Sequence, residues 1–154
     1  MEYQITTKSA EETMQLGARF VALCKPGSTF CLTGDLGAGK TTLVRGIAKA
    51  LNIKSVVQSP TFNIMKVYFD GDKPLIHIDA YRLADLDTDI GLDEYSGYET
   101  GITVIEWPEF IRNLIPENAI EVNITHIKDD MRNIKIISND KQLMEGLKLW
   151  SQCY

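Results

Sequence analysis

Residues 34 to 41 read Gly34-Asp35-Leu36-Gly37-Ala38-Gly39-Lys40-Thr41, and Thr42 follows. The run matches G-x-x-x-x-G-K-[ST], a pattern in which each fixed position meets a requirement of phosphate binding. Glycines let the backbone turn so that successive N–H groups converge on an anion, Lys40 brings a cation to the β and γ phosphates, and Thr41 offers a hydroxyl to magnesium. A helix starting near Lys40 adds the positive end of its dipole to the same anion. A pattern this short also arises in plain glycine-rich turns. Its context argues otherwise: a β-rich run, Thr29 to Thr33, leads in, and Leu43, Val44, Ile47, Ala48 and Leu51 mark one face of a helix leading out.

Triphosphate hydrolysis also needs an acid at the end of a buried strand to hold or orient hydrated magnesium. Asp79 ends Leu75-Ile76-His77-Ile78 and Glu106 ends Ile102-Thr103-Val104-Ile105. Each is expected at the carboxyl edge of the sheet, where open α/β sheets bind ligands. A single acid there is commonly a solvated loop residue; two of them downstream of a phosphate loop favour function. Ser59-Pro60-Thr61-Phe62 suits a switch segment that senses a γ-phosphate through Thr61, although alone it is only a turn. Tyr81 and Arg82 follow Asp79 with an aromatic and a cation, and Trp107 offers a ring beside Glu106. Arg82 serves equally well as a surface ion pair and Trp107 as core. Arg132, with the start of the first helix near Ser9 and Ala10, is a candidate for the outer side of the nucleotide. His77 and His126 each stand alone on a strand; His77 reads as packed on the sheet rather than catalytic, and neither is assigned a metal. Guanine recognition normally shows N-K-x-D, which Asn52-Ile53-Lys54-Ser55 does not match, so ATP is favoured over GTP.

The elements that must position these residues follow from local rules. Glu2 to Thr6 alternates as a strand, and Ser9 with Glu12 forms a capping-box signature. Met14, Gly17, Val21 and Cys24, supported by Phe20, recur at helical spacing until Pro26-Gly27. Asn63 to Phe69 and Leu75 to Asp79 are strand-like around the turn chemistry of Asp70-Gly71-Asp72-Lys73-Pro74, which predicts a hairpin. Ile102 to Glu106 reads as a buried strand. Pro108 permits a helical turn through Arg112, ended by Pro116. Ile120 to Ile127 and Arg132 to Ile137 predict a second hairpin around Lys128-Asp129-Asp130, and Asn139 or Asp140 can cap a last helix with Leu143, Leu147 and Trp150 inward. Crossovers mixed with hairpins predict an α/β three-layer domain, P-loop NTPase-like, with a mixed and mainly parallel sheet.

Composition bounds the rest. The 154 residues, 44% hydrophobic and 24% charged, suit one globular domain over residues 1–154 that needs no disulfide or metal to fold. Cys24, Cys31 and Cys153 are odd in number and have no zinc-like spacing, which predicts reduced thiols and a cytoplasmic location. No apolar leader or membrane-length apolar run is present in the sequence. The net charge of −5 opposes direct binding of nucleic acid, so any RNA is expected to be held by a partner. Six acids (Asp85, Asp87, Asp89, Asp93, Glu94, Glu99) and no Lys or Arg lie between Leu83 and Glu99. That run reads as a solvated acidic face, or as a docking surface for a basic partner.

Taken in order, the glycine loop from Gly34 to Thr42, Ser59-Pro60-Thr61-Phe62, His77-Ile78-Asp79-Ala80-Tyr81-Arg82 and Glu106-Trp107-Pro108 resemble the TsaE (YjeE) family, with matching spacing across nearly the whole chain. The resemblance implies a bacterial cytosolic ATPase that works with the TsaD-TsaB pair in threonylcarbamoylation of adenosine 37 of tRNA, reaching tRNA through those partners. It further implies that Thr41 and Glu106 hold magnesium and Lys40 the phosphates of ATP, with ADP as product. Asp79 would support hydrolysis, Thr61 would lie in the switch-like segment, and Trp107 would sit near the nucleotide or the partner surface. Ala80 is smaller than the residue usual in the family. Two other readings of the residues remain: a small-molecule kinase, for which Arg82 and Arg112 are a poor supply of lid arginines, and an assembly factor that works by binding ATP with hydrolysis incidental.

Overall fold

The computed structural model describes residues 1–35, 37–58, 60, 64–81 and 100–152. In chain order its elements are β1 (Glu2–Thr7), α1 (Ala10–Leu23), β2 (Thr29–Thr33), α2 (Lys40–Ala50), β3 (Met65–Tyr68), β4 (Leu75–Asp79), β5 (Ile102–Glu106), a 3-10 segment (Pro108–Leu114), β6 (Ile120–Lys128), β7 (Met131–Ile137) and α3 (Lys141–Gln152). The strands form one sheet in the order β1-β7-β6-β2-β5-β4-β3. Its centre, β6-β2-β5-β4, is parallel, while β3 and β7 run the other way. The mixed, mostly parallel α/β sheet expected from the sequence is present. Both hairpins form, as β3 with β4 and as β6 with β7.

Alternation along each central strand divides its residues between two faces. Phe30, Leu32, Val104, Ile120 and Val122 share one cluster with Leu16 and Phe20 of α1, Leu43 and Ile47 of α2, and Leu143 and Leu147 of α3. The three helices among the described residues therefore cover one face. Ile76, Ile78 and Ile105 turn the other way and meet Ile111 of the 3-10 segment. Phe20 and Phe30 stack with ring centroids 5.0 Å apart, fixing α1 over the strand that feeds the glycine loop.

Helix α1 begins where Ser9 predicts: its side chain accepts the Glu12 N–H at 3.1 Å, and Glu12 reaches back to the Lys8 N–H rather than to that of Ser9. Its buried face differs from the sequence reading. Thr13, Leu16, Gly17 and Phe20 are inside, whereas Met14, Val21 and Cys24 are only half-buried. Periodicity fixes that the helix is amphipathic but not its phase. The phase is set by contact with α2, where a Cβ on Gly46 would lie 2.1 Å from the Met14 carbonyl oxygen and one on Gly17 2.5 Å from that of Leu43. Two glycines let the backbones touch, and this turns Leu16 toward the sheet. The C-terminal end of α2 is tied down as well: Asp72 N–H donates to the Leu51 carbonyl at 2.7 Å, and Asp70 accepts from the Lys54 and Ser55 N–H groups at 3.0 Å.

Candidate nucleotide site

The glycine loop leaves β2 and delivers Lys40 to the first turn of α2. Gly39, the residue before the helix, has φ +111°, a conformation that side chains resist, and a Cβ there would press on the Arg132 Nε at 3.2 Å. At the other end of the loop a Cβ on Gly34 would lie 2.6 Å from the Ile124 carbonyl oxygen. The loop thus turns tightly against β6 and β7, closed by Ala38 N–H to the Asp35 carbonyl at 2.9 Å. Thr41 and Thr42 continue the first helical turn, half-buried.

Parallel pairing brings the acids to this loop. Leu32 lies opposite Glu106 and Asp79 opposite Glu106 on the other side, so both acids end neighbouring strands at the edge where β2 opens into the loop. Glu106 is 3% exposed, and its Oε1 is 3.8 Å from Lys40 Nζ. Its Oε2 accepts from His77 Nε2 at 2.7 Å, with His77 wholly buried. Asp79 is more open, and its Oδ1 accepts the Tyr81 N–H at 3.1 Å. The structure therefore separates two acids that look alike in sequence: one buried against the loop lysine, one at the rim.

Trp107 covers the lysine. Its backbone adopts φ 57° and ψ 53°, a left-handed conformation that ends β5 and starts the 3-10 segment. Lys40 Nζ sits 4.7 Å from its ring centroid, within range of a cation–π attraction. Tyr81 packs on the same ring at 5.1 Å and Phe110 at 6.3 Å, and Tyr81 stays 59% exposed. A hollow of about 120 Å³ lies between Gly34, Asp35, Lys40, Trp107 and Glu109, and a cleft of about 500 Å³ runs from the loop to Asn123, Thr125 and His126 of β6.

The model of the family described as "Threonylcarbamoyl adenosine biosynthesis protein TsaE" matches residues 7–134. The chain belongs to the TsaE family. It is 43% identical to the tRNA threonylcarbamoyladenosine biosynthesis protein TsaE of Bacillus subtilis over 83% of this chain and 80% of that one. It is 37% identical to the protein of the same name from Aquifex aeolicus over 86% and 94% of the two chains. The crystal structure of YdiB from Bacillus subtilis superposes with a TM-score of 0.80 at 33% identity, covering 99% of this chain and 96% of that one. These likenesses place the glycine loop in a P-loop NTPase-like fold.

Against that family frame, the described residues bring together Gly34, Asp35, Gly37, Ala38, Gly39, Lys40, Asp79, Tyr81, Glu106 and Trp107. Arg132 lies beside Gly39, with its guanidinium donating to the carbonyls of Asp129 and Met131 at 3.0 and 3.1 Å. Ser9 is occupied as the cap of α1. Asn52 has a structural task as well, taking φ 60° after α2 and donating to Asp72 at 2.6 Å. Pro60 is buried, while Leu36, Ser59, Thr61, Phe62, Arg82 and the acidic run 83–99 lie outside the described residues. Sequence reading missed His77 as a partner of Glu106. Its only signal was a polar residue inside an otherwise apolar strand, Leu75 to Ile78. It also passed over Asn123 and Thr125, whose nearness to the loop depends on β6 pairing with β2. Among the described residues no three His, Cys, Asp or Glu come together as a metal cage, and no helix is long and apolar enough to cross a membrane.

Proposed function

We propose that this chain binds ATP and hydrolyses it slowly to ADP and phosphate, as the ATPase that acts with the TsaD-TsaB pair in threonylcarbamoylation of adenosine 37 of tRNA. The observation that carries the reading is the buried Glu106 carboxylate 3.8 Å from the loop lysine, at the open end of a glycine loop that runs into a helix. Family membership supplies the pathway. Loop N–H groups and the α2 N-terminus receive the β and γ phosphates, and Lys40 exchanges Glu106 for phosphate oxygens. Leu36, Thr42 and the rest of the run Gly34 to Thr41 complete the cradle. Asp79, at the rim beside Glu106, orients the attacking water.

Magnesium fits the residues present. It favours hard oxygen donors and takes one or two carboxylates plus the phosphates of its nucleotide rather than a closed protein cage. Glu106 and the Thr41 hydroxyl offer such donors. The bound ion would neutralise charge on the transferring phosphoryl. This chain's own residues then position the phosphates and hold the ion beside the Trp107 ring. None of them is a strong general base, which accounts for slow turnover.

Ser59, Pro60, Thr61 and Phe62 are proposed as the segment that responds to the γ-phosphate, and Arg82 and Arg132 as further cations near the nucleotide or the partners. Adding the TsaD-TsaB pair is expected to raise the ATPase rate, because a partner seated over the site can close it to solvent. Phosphate release measured with and without the pair tests this. Equal rates would argue against the partnership.

A further inference from the structure

Glu106 has two carboxylate oxygens with different neighbours. Oε1 faces Lys40 Nζ at 3.8 Å and Oε2 faces His77 Nε2 at 2.7 Å. On β4 and β5 the register pairs His77 with Val104 and Asp79 with Glu106, so His77 lies one pleat behind Glu106 on the same face of the sheet. There it is completely enclosed. A buried imidazole costs free energy unless its nitrogens are hydrogen-bonded. Nε2 is satisfied by Glu106, and Nδ1 meets no partner among the described residues. A carboxylate only accepts, so this bond carries its proton on Nε2. An aliphatic side chain would fill this position on β4 without any polar penalty. The contact with Glu106 is therefore what the imidazole contributes.

We infer that His77 is a positioning residue, whose Nε2–H pins Glu106 Oε2 and leaves Oε1 aimed at the loop. The inference rests on the ATP reading above. When Lys40 turns to the phosphates, Glu106 loses its cation; without His77 the carboxylate is then free to rotate away from the place where magnesium is held. Loss of a hydrogen bond that orients a ligand side chain weakens metal binding by roughly 10- to 100-fold.

The test is the affinity of the full-length chain for a non-hydrolysable ATP analogue, measured with and without magnesium, together with a thermal melt for each variant. The ratio of the two affinities isolates the contribution of magnesium. His77→Leu is expected to cut that ratio by roughly tenfold or more, with a smaller change in affinity without magnesium. His77→Gln places an amide N–H near the position of Nε2 and should keep the ratio; His77→Asn stops near Nδ1 and should lose it. A purely structural role would lower melting temperatures but leave the ratio alone. Folded Leu and Asn variants with the wild-type ratio would overturn the inference. So would Gln and Asn variants with equal ratios, a comparison that stands even if the Leu variant does not fold. Failure of the wild-type chain to bind the analogue at all would sink the ATP reading instead, which keeps the two outcomes distinct.

Discussion

Lys40 and Glu106 are both almost out of water, with side chains 9% and 5% exposed. Removing one member of such a pair strands the other charge, whereas removing both is far less costly. Lys40→Met and Glu106→Gln are each expected to lower stability, by about 3 kcal/mol at the mild end of that range because the contact is long. The double variant should lose clearly less than the sum, as read from urea unfolding in a double-mutant cycle. Function separates from stability at the same residues. Glu106→Ala and Asp79→Ala are expected to bind ATP and lose hydrolysis by roughly 100-fold or more, the scale of losing one preorganised electrostatic group. If both variants still sustain tRNA modification, binding rather than hydrolysis is the essential act. Cys31 shows the reverse of a reactive site: burial, with the charge of Glu121, pushes its thiol up to about 12. Near pH 8 it should resist alkylation in the folded protein, as read by mass spectrometry. The folded state keeps a proton there that the unfolded chain releases above its ordinary value of 9.0, so Cys31 lowers stability as pH rises from that value toward 12.

Among the elements, α2 carries the site, and α1 decides where α2 lies. Gly46→Ala would ordinarily favour a helix by about 1 kcal/mol. Here the new methyl would lie 2.1 Å from the Met14 carbonyl oxygen, a main-chain obstacle that cannot swing aside. Overpacking of this kind costs about 1–3 kcal/mol and should outweigh the gain in propensity. A net loss in urea unfolding is expected, together with weaker nucleotide binding, because moving α2 moves Lys40. A stable variant with unchanged affinity would show that the helices can separate without disturbing the loop.

For the molecule as a whole, net charge bears on whether it can hold RNA by itself. A net −5 gives little attraction for a polyphosphate. At physiological salt the chain alone should not retard tRNA in a gel, while the same chain with the TsaD-TsaB pair should join a tRNA-containing complex. Retardation by the chain alone would place an RNA-binding surface on this protein. The acidic residues between Leu83 and Glu99 supply more than the whole net charge, since the remainder of the chain carries +1.

What the sequence determined by itself is local. The glycine loop, strands β2, β4 and β5 to the residue, the two hairpins and the face of α2 follow from periodicity, turn residues and a phosphate pattern read over short windows. Four motifs in order were enough to recognise the family. What only the tertiary structure decided is neighbourhood. Asp79 and Glu106 are alike as strand ends, yet β5 lies next to β2 and β4 does not, so Glu106 meets Lys40 and Asp79 stays at the rim. His77 looks like sheet filling until the same register sets it against Glu106. The phase of α1 was equally hidden, because two glycines far apart in the chain choose it by touching backbones. Strand order and helix phase are settled by packing between distant segments, which no local window contains.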